Sequence, residues 1–233
     1  SAPIVSAGKD GFSLKSADGA WALRIRGYVQ FDGRFVRNEE GRPVADTFLL
    51  RRVRPIFEGT LGGRFDFRIM PDFGEGRTVL QDAYADARLG ATTRLRLGKF
   101  KSPFGLERLQ SATDIAFVER ALPTNLVPNR DMGIMGHGEL SRGAFGWQLG
   151  VFNGVPDGSS ADADTNDGKD GIGRIFVKPF RSGPFAGLGL GLAGSAGPQA
   201  GTAAATGLVP SRSASQQNFF AWRTGAAAGT TVV

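Results

Sequence analysis

The stretch FLLRRVRPIFEG, residues 48–59, alternates two kinds of side chain. The first, mainly apolar column consists of Leu49, Arg51, Val53, Pro55 and Phe57. The second, mainly polar column consists of Leu50, Arg52, Arg54, Ile56 and Glu58. A period of two indicates a β-strand with two different faces. In a water-soluble sheet the apolar face would pack on a core and the guanidinium groups would face water.

The same pattern recurs along the chain. Residues 21–36 alternate throughout, with Trp21 and Leu23 in one column and Arg24 and Arg26 in the other. Shorter alternating segments lie at residues 64–73, 94–97, 145–151 and 174–178. Only residues 105–121 suggest a helical period. The sequence therefore predicts an all-β protein with about ten strands.

The connections between these strands alternate between long and short. The long connections are residues 38–46, 72–78, 100–132, 154–170 and 196–215. The short connections are residues 61–63, 90–92, 141–143 and 181–184. Outer-membrane barrels have tight turns at one side of the membrane and long loops at the other. We therefore predict a transmembrane antiparallel β-barrel in the bacterial outer membrane, with the apolar columns against lipid and the arginines lining an aqueous lumen.

The composition points to anionic partners. The net charge is +6, and arginine supplies 22 of the 28 basic residues. The rigid fork of arginine suits repeated recognition of phosphate or carboxylate better than lysine does. The absence of cysteine excludes disulfides, thiolate catalysis and zinc-thiolate sites, and a single histidine, His137, excludes a multi-histidine metal site. Asp82 and Asp86 are paired carboxylates without a candidate base, nucleophile or metal, so we predict no enzyme activity and no cofactor.

One long segment carries a family resemblance. The run GKFKSPFGLERLQSATDIAFVERALPTNLVPNRDMG, residues 98–133, resembles the signature region of the phosphate-selective porin O and P family. Flanking blocks of that family are similar, in the same order, to GYVQFDGR (27–34), RRVRPIFEG (51–59), DAYADARLG (82–90) and VFNG (151–154). The resemblance covers roughly residues 11–222, which is nearly the whole chain.

The resemblance implies a sixteen-stranded, usually trimeric outer-membrane barrel. In such a barrel the third extracellular loop folds into the lumen, and its basic side chains bind phosphate or polyphosphate. Here that constriction loop is expected at about residues 100–132. With about ten strands and a last segment, GAAAGTTVV, that lacks a closing strand, residues 1–233 are expected to form a single, incomplete barrel domain from the N-terminal portion of a longer porin. A complete ten-stranded barrel is the alternative.

Two groups of residues are candidates for anion binding and pore lining. The strand group shares the parity of the polar columns and consists of Arg24, Arg26, Arg34, Arg52, Arg54, Arg64, Arg68, Arg94 and Arg96. The loop group lies at or within the constriction loop and consists of Lys99, Lys101, Arg108, Ser111, Thr113 and Arg120. Charge-assisted hydrogen bonds from such groups can replace the water of an anion. Lys99 and Lys101 share the parity of Leu95 and Leu97, so they fit only if the strand ends or bulges by Gly98.

Other interpretations stay open for individual residues. An arginine of the strand group can instead pair with a carboxylate, as Arg64 with Asp66 or Asp72, or Arg54 with Glu58. The loop DADTNDGKDG, residues 162–171, is similar to a calcium-binding loop, but Asp167 occupies the position where an EF-hand requires glycine. A solvated external loop is the preferred interpretation of that segment.

The function that these patterns favour is an anion-selective outer-membrane porin that passes phosphate or polyphosphate. Its partners would be those anions, outer-membrane lipid and, from the family resemblance, two further copies in a homotrimer. The alternative is a soluble basic β-protein that binds nucleic acid or another polyanion. That function requires aromatic and basic side chains on one face. The aromatic side chains here mostly occupy the opposite column, so we predict no nucleic-acid partner.

Overall fold

A computed structural model describes residues 2–35, 46–164, 167–198, 201, 207–213 and 216–223. These residues contain thirteen β-strands and one short α-helix, which confirms the all-β prediction. The first eleven strands pair in the order of the chain, and the last two pair with each other. No helix within the described ranges is long and apolar enough to cross a membrane. The chain divides into two compact units, Ser1–Ala85 and Asp86–Val233.

The first unit contains five complete strands. They are β1 (Ile4–Gly8), β2 (Gly11–Lys15), β3 (Ala22–Arg34), β4 (Thr47–Leu61) and β5 (Phe65–Asp72). Each strand pairs with the next in antiparallel fashion. A 3-10 turn, Gly74–Gly76, follows β5, and strand β6 (Val79–Arg88) crosses the boundary between the units. The sequence pattern began at Trp21 and so missed β1 and β2, which are too short for a convincing alternation.

The second unit carries the remaining elements. Its strands are β7 (Thr93–Lys101), β8 (Arg130–Leu140), β9 (Phe145–Phe152), β10 (Asp170–Val177), β11 (Leu190–Ala196), β12 (Ser211–Arg212) and β13 (Asn218–Phe220). Helix α1 (Leu106–Leu109) and 3-10 turns at Leu122–Leu126 and Ser141–Gly143 lie between strands. The helical period predicted over residues 105–121 is therefore limited to one turn. Long connections follow β7 and β9, and a short connection, residues 141–144, follows β8, as the sequence predicted. The short connection predicted at 181–184 is wrong, because residues 178–189 all lie between β10 and β11.

The strands of the second unit have two unlike faces. Cross-strand partners share a face, and Ile134 is paired with Val151 while Met135 is paired with Gly150. Ile134 is 54% exposed and Val151 is 56% exposed, whereas Met135 is almost fully buried. The face with the exposed residues is apolar, which reverses the arrangement of a water-soluble sheet. A contiguous exposed apolar surface of this kind indicates contact with a membrane or another protein.

Strand β4 contains a β-bulge that changes the column of its first residues. Gln30 is paired with Arg52 but Phe31 is paired with Leu50, so Arg51 is an extra residue in β4. Leu50 consequently lies with exposed Phe31, on the apolar face. The predicted column that joined Leu50 to Arg52 is wrong, because a bulge shifts the alternation by one residue. The guanidinium of Arg51 pairs with Glu75 in the 3-10 turn that follows β5.

A small core lies on the other face of the second unit. Phe100 and Phe152 are each 1% exposed, and their rings meet edge to face with centroids 5.5 Å apart. Met135 and Ile172 are buried to the same extent. The guanidinium of Arg96 lies 5.5 Å from the centroid of the Phe100 ring. The core therefore packs beside the guanidinium of Arg96 on β7.

Candidate anion-binding site

A row of alternating charges crosses four strands of the first unit. Glu58 on β4 is directly opposite Arg24 on β3 and Arg68 on β5. Its carboxylate accepts hydrogen bonds from Arg24 Nη2, from Arg26 Nε at 3.0 Å and from Arg68 Nη1 at 3.3 Å. Arg68 Nε lies 3.2 Å from the Asp82 carboxylate on β6. Three guanidinium groups thus share two carboxylates, and opposite charges on facing strands stabilise the pairing.

A second ion pair lies further along β4. Arg54 Nε donates to Asp72 Oδ2 at 2.7 Å, and Arg54 Nη1 donates to the Tyr28 hydroxyl at 2.9 Å. The same carboxylate accepts the backbone N–H of Val53 at 3.1 Å and that of Gly74 at 3.0 Å. Asp72 therefore holds a guanidinium and two backbone segments together. The guanidinium of Arg52, which is 5% exposed, donates to the side-chain oxygen of Gln30.

The ion pair suggested from the sequence between Arg54 and Glu58 is wrong. Arg54 bonds to Asp72 and not to Glu58, because residues four apart in one strand are separated by about 13 Å while facing strands are about 5 Å apart. Arg64 lies in the exposed turn between β4 and β5 and not in a strand. Arg34, at the end of β3, lies 3.4 Å from Asp32 on its own strand.

In the second unit, Arg96 and the single histidine share one carboxylate. Arg96 Nη2 donates to Asp86 Oδ2 at 2.6 Å, and His137 Nε2 lies 2.9 Å from Asp86 Oδ1. Arg94, one of the predicted pore-lining residues, is paired with His137 across β7 and β8. The sequence pattern assigned no role to His137. The pairing of β6, β7 and β8 brings His137, Arg96 and Asp86 together, and the local sequence does not predict that pairing.

The two lysines at the end of β7 do not meet the condition set for them. β7 and β8 stay in regular register from Thr93 to Lys101, so the strand neither ends nor bulges at Gly98. Lys99 is only 3% exposed on its side chain, and its ammonium bonds to Asp162 in the β9–β10 connection. Lys101 Nζ donates to the carbonyl oxygen of Gln110 at 2.6 Å. Lys99 therefore links β7 to the β9–β10 connection, whereas Lys101 contacts the β7–β8 loop.

Three arginines meet in the β7–β8 loop, residues 102–129, and at its end. Arg108 is on α1, Arg120 is in the loop and Arg130 begins β8. Arg108 Nη2 donates to the carbonyl of Thr124, while Arg120 donates to the carbonyls of Glu107 at 3.2 Å and Gln110 at 2.8 Å. The Gln110 carbonyl therefore accepts from both Lys101 and Arg120. We call Lys101, Arg108, Arg120 and Arg130 the loop cation cluster.

The electrostatic state of Arg108 reflects this crowding. Burial, together with the positive charges of Arg120 and Arg130, lowers the pKa of Arg108 to about 10, and the carboxylates of Glu107 and Glu119 offset only part of this effect. The group stays charged at neutral pH. Within the described part of the chain, Arg108 Nε is buried and has no hydrogen-bond acceptor. A buried donor without an acceptor costs free energy that an anion oxygen could recover.

The remaining loop candidates have local partners. The hydroxyl groups of Ser111 and Thr113 lie 2.8 Å apart, and Thr113 Oγ1 donates to Asp114 at 3.0 Å. Arg130 was not among the predicted site residues, although it lies inside the 98–133 segment. It is 5% exposed, and its Nη1 donates to Asn129 Oδ1 at 3.3 Å.

Two carboxylates of the segment that is similar to a calcium loop are engaged by lysines. Asp162 bonds to Lys99, and Asp164 bonds to Lys169. Asn166, a further ligand in that interpretation, lies outside the described residues. Within the described residues Asp170 Oδ1 is buried and has no hydrogen-bond partner. The ammonium groups on Asp162 and Asp164 oppose cation binding at those two carboxylates, which favours the solvated-loop interpretation.

Comparison with known proteins identifies the family of the chain. A sequence model of the phosphate-selective porin O and P family matches residues 23–218. No curated protein matches the chain in sequence. The match runs from the start of β3 into β13 and includes the charge row, the Arg54–Asp72 pair and the loop cation cluster. Because the family model covers far more than half of the residues, this chain belongs to the phosphate-selective porin O and P family.

Proposed function

We propose that the protein is an anion-selective porin of the bacterial outer membrane, which passes phosphate or polyphosphate through a channel lined by arginine and lysine. Family membership favours a channel over an enzyme. The strands would form a transmembrane barrel with the apolar face against lipid or a neighbouring copy in a trimer. The charged face would line the water-filled lumen.

The observation that carries the anion selectivity is the environment of Arg108. Its guanidinium has a buried, unfilled donor and lies in the field of two further arginines. Like charges repel one another, and an anion bound among them would relieve that repulsion. A phosphate group offers several oxygens, so it can accept bonds from more than one guanidinium at once.

The strand arginines contribute a second, weaker type of site. The Glu58 carboxylate already occupies donors of Arg24, Arg26 and Arg68, and Asp72 occupies Arg54. Their positive charges are thus partly neutralised along the wall. An anion that passes over such a wall is attracted without being trapped, which conduction requires.

The test of the proposed function is ion selectivity of the full-length protein in planar bilayers. In a gradient of potassium chloride we expect the reversal potential to have the sign of an anion-selective pore. Phosphate titrated into chloride should then block the chloride current. A cation-selective or non-selective reversal potential would refute the proposed function.

The orientation of the strands can be tested by site-directed spin labelling, because the chain has no cysteine to compete for the label. We expect a label at Leu149, which is 66% exposed, to be reached by oxygen dissolved in lipid. A label at the adjacent Gln148 should be reached by a water-soluble nickel chelate. Phe31 and Gln30 form an equivalent pair on β3 in the first unit. The reverse accessibility in either pair would show that the faces are assigned wrongly.

A further inference from the structure

Glu58 occupies an unusual position for an acidic residue in an anion channel. Its side chain is 14% exposed, while that of Arg24 is 46% exposed and that of Arg26 is 39% exposed. The carboxylate therefore lies beneath the guanidinium groups that it binds. Those guanidinium groups remain within reach of solvent.

The donors around Glu58 converge on one point. They are Arg24 Nη2, Arg26 Nε, Arg26 Nη2 and Arg68 Nη1. Four donors from three guanidinium groups on two flanking strands surround a two-oxygen anion. The same arrangement of donors suits a free oxyanion, because planar guanidinium groups bind carboxylate and phosphate with the same paired N–H geometry.

We propose that Glu58 is a specificity-determining residue, a built-in counter-anion that occupies an oxyanion site on the channel wall. With the carboxylate in place, the three arginines are oriented and their charge is partly neutralised. Phosphate therefore binds weakly to the three arginines and dissociates readily. Without the carboxylate the same donors form a deep site that holds phosphate and slows its release. This inference rests on the proposed function, because it assigns Glu58 a role in anion passage.

The competing explanation is that Glu58 serves only to hold β3, β4 and β5 together. The charge row supports such a role as well, because cross-strand ion pairs stabilise a sheet. A purely structural residue, when neutralised, would lower stability and leave the affinity for phosphate unchanged. The two explanations therefore differ in phosphate affinity and not in stability.

The experiment compares the full-length parent with Glu58→Gln, in which only the charge and one oxygen are lost. We expect phosphate to block the chloride current of Glu58→Gln at about one-tenth of the concentration needed for the parent, since a charge-assisted bond of ordinary strength corresponds to about that factor. Glu58→Asp keeps the charge and should restore block to within about threefold of the parent. The matched control is Glu139→Gln, an exposed residue at the end of β8 that makes the same change in net charge.

A second variant keeps the test decisive if Glu58→Gln fails to fold. Asp82 carries the other carboxylate of the row and lies 3.2 Å from Arg68 Nε, so Asp82→Asn should tighten the block in the same direction by a smaller factor. Parent-like block in whichever of these variants folds would overturn the inference. An equal tightening in Glu139→Gln would overturn it too, because net charge alone would then explain the effect.

Calorimetric titration of phosphate into the detergent-solubilised proteins separates the two proposals. If the parent is not anion-selective but Glu58→Gln binds phosphate more tightly than the parent, the proposed function fails and the assignment of Glu58 to an oxyanion site stands. If the parent is anion-selective and Glu58→Gln binds phosphate like the parent, the inference about Glu58 fails alone.

Discussion

Replacement of Arg108 by alanine is expected to weaken phosphate block of the chloride current by about ten- to a hundredfold in the full-length channel. The guanidinium offers a buried Nε that has no acceptor among the described residues, and it sits in the field of Arg120 and Arg130. Removing it takes away both a donor and a charge from the place where they are concentrated. Planar-bilayer recordings with phosphate titrated into chloride give the blocking constant directly.

Arg120→Ala should weaken the block for an additional reason. Arg120 holds the loop through the carbonyls of Glu107 and Gln110, so its loss also loosens the segment that positions Arg108. The matched control is Arg181→Ala, which removes the same charge from an exposed turn after β10. Arg37, another cation that the sequence offers for comparison, lies outside the described residues. If both loop variants are blocked like the parent, the loop is a passive segment and the anion sites lie on the strands.

The largest expected effect on stability is that of Asp72→Ala. Its carboxylate binds Arg54 at 2.7 Å and the backbone N–H groups of Val53 and Gly74, and both charged side chains are close to nine-tenths buried. Removing one partner leaves a charge buried without compensation, which typically costs about 3–5 kcal/mol. We expect urea titration in lipid vesicles to show a loss of that size in the free energy of unfolding.

Two further variants identify the cause of that loss. Asp10→Ala, in the exposed turn between β1 and β2, should change the free energy of unfolding by less than about 0.5 kcal/mol. The double variant Asp72→Ala, Arg54→Met removes both charges and should recover part of the loss, because no charge then stays buried. A double variant as unstable as Asp72→Ala would show that the backbone contacts of Asp72, and not the ion pair, provide the stability.

The sequence predicted most of the strands, and the order of long and short connections as far as the β9–β10 connection, for a physical reason. Successive side chains of a β-strand lie on opposite faces, so apolar and polar residues alternate from residue 21 onward and the pattern is recognisable even in short segments. The exposed apolar residues of β8 and β9 confirm that alternation in the second unit. Strands β1 and β2 were not predicted, because a five-residue strand contains too few alternations to be recognised in the sequence.

The partners of the charged residues could not be predicted in the same way. Glu58 meets Arg68 because β4 and β5 are in a particular register, and the side chain of His137 on β8 meets that of Asp86 on β6 across the intervening strand β7. Register between strands depends on turn geometry and on the whole sheet, not on the local sequence. For the same reason the basic content of the loop was predictable, but the convergence of Lys101 and Arg120 on one carbonyl was not.

The bulge at Arg51 has a consequence for how the length of β4 can vary in evolution. Because Arg51 is the extra residue between two regular ladders, a deletion there leaves Leu50 and Arg52 on their present faces. A deletion at Val53 that kept the bulge would instead turn all preceding residues of the strand over, which would place Phe48 on the polar side. Loss of Arg51 costs its pair with Glu75 but keeps the alternation. Homologous sequences one residue shorter in this strand should therefore align with their gap at position 51.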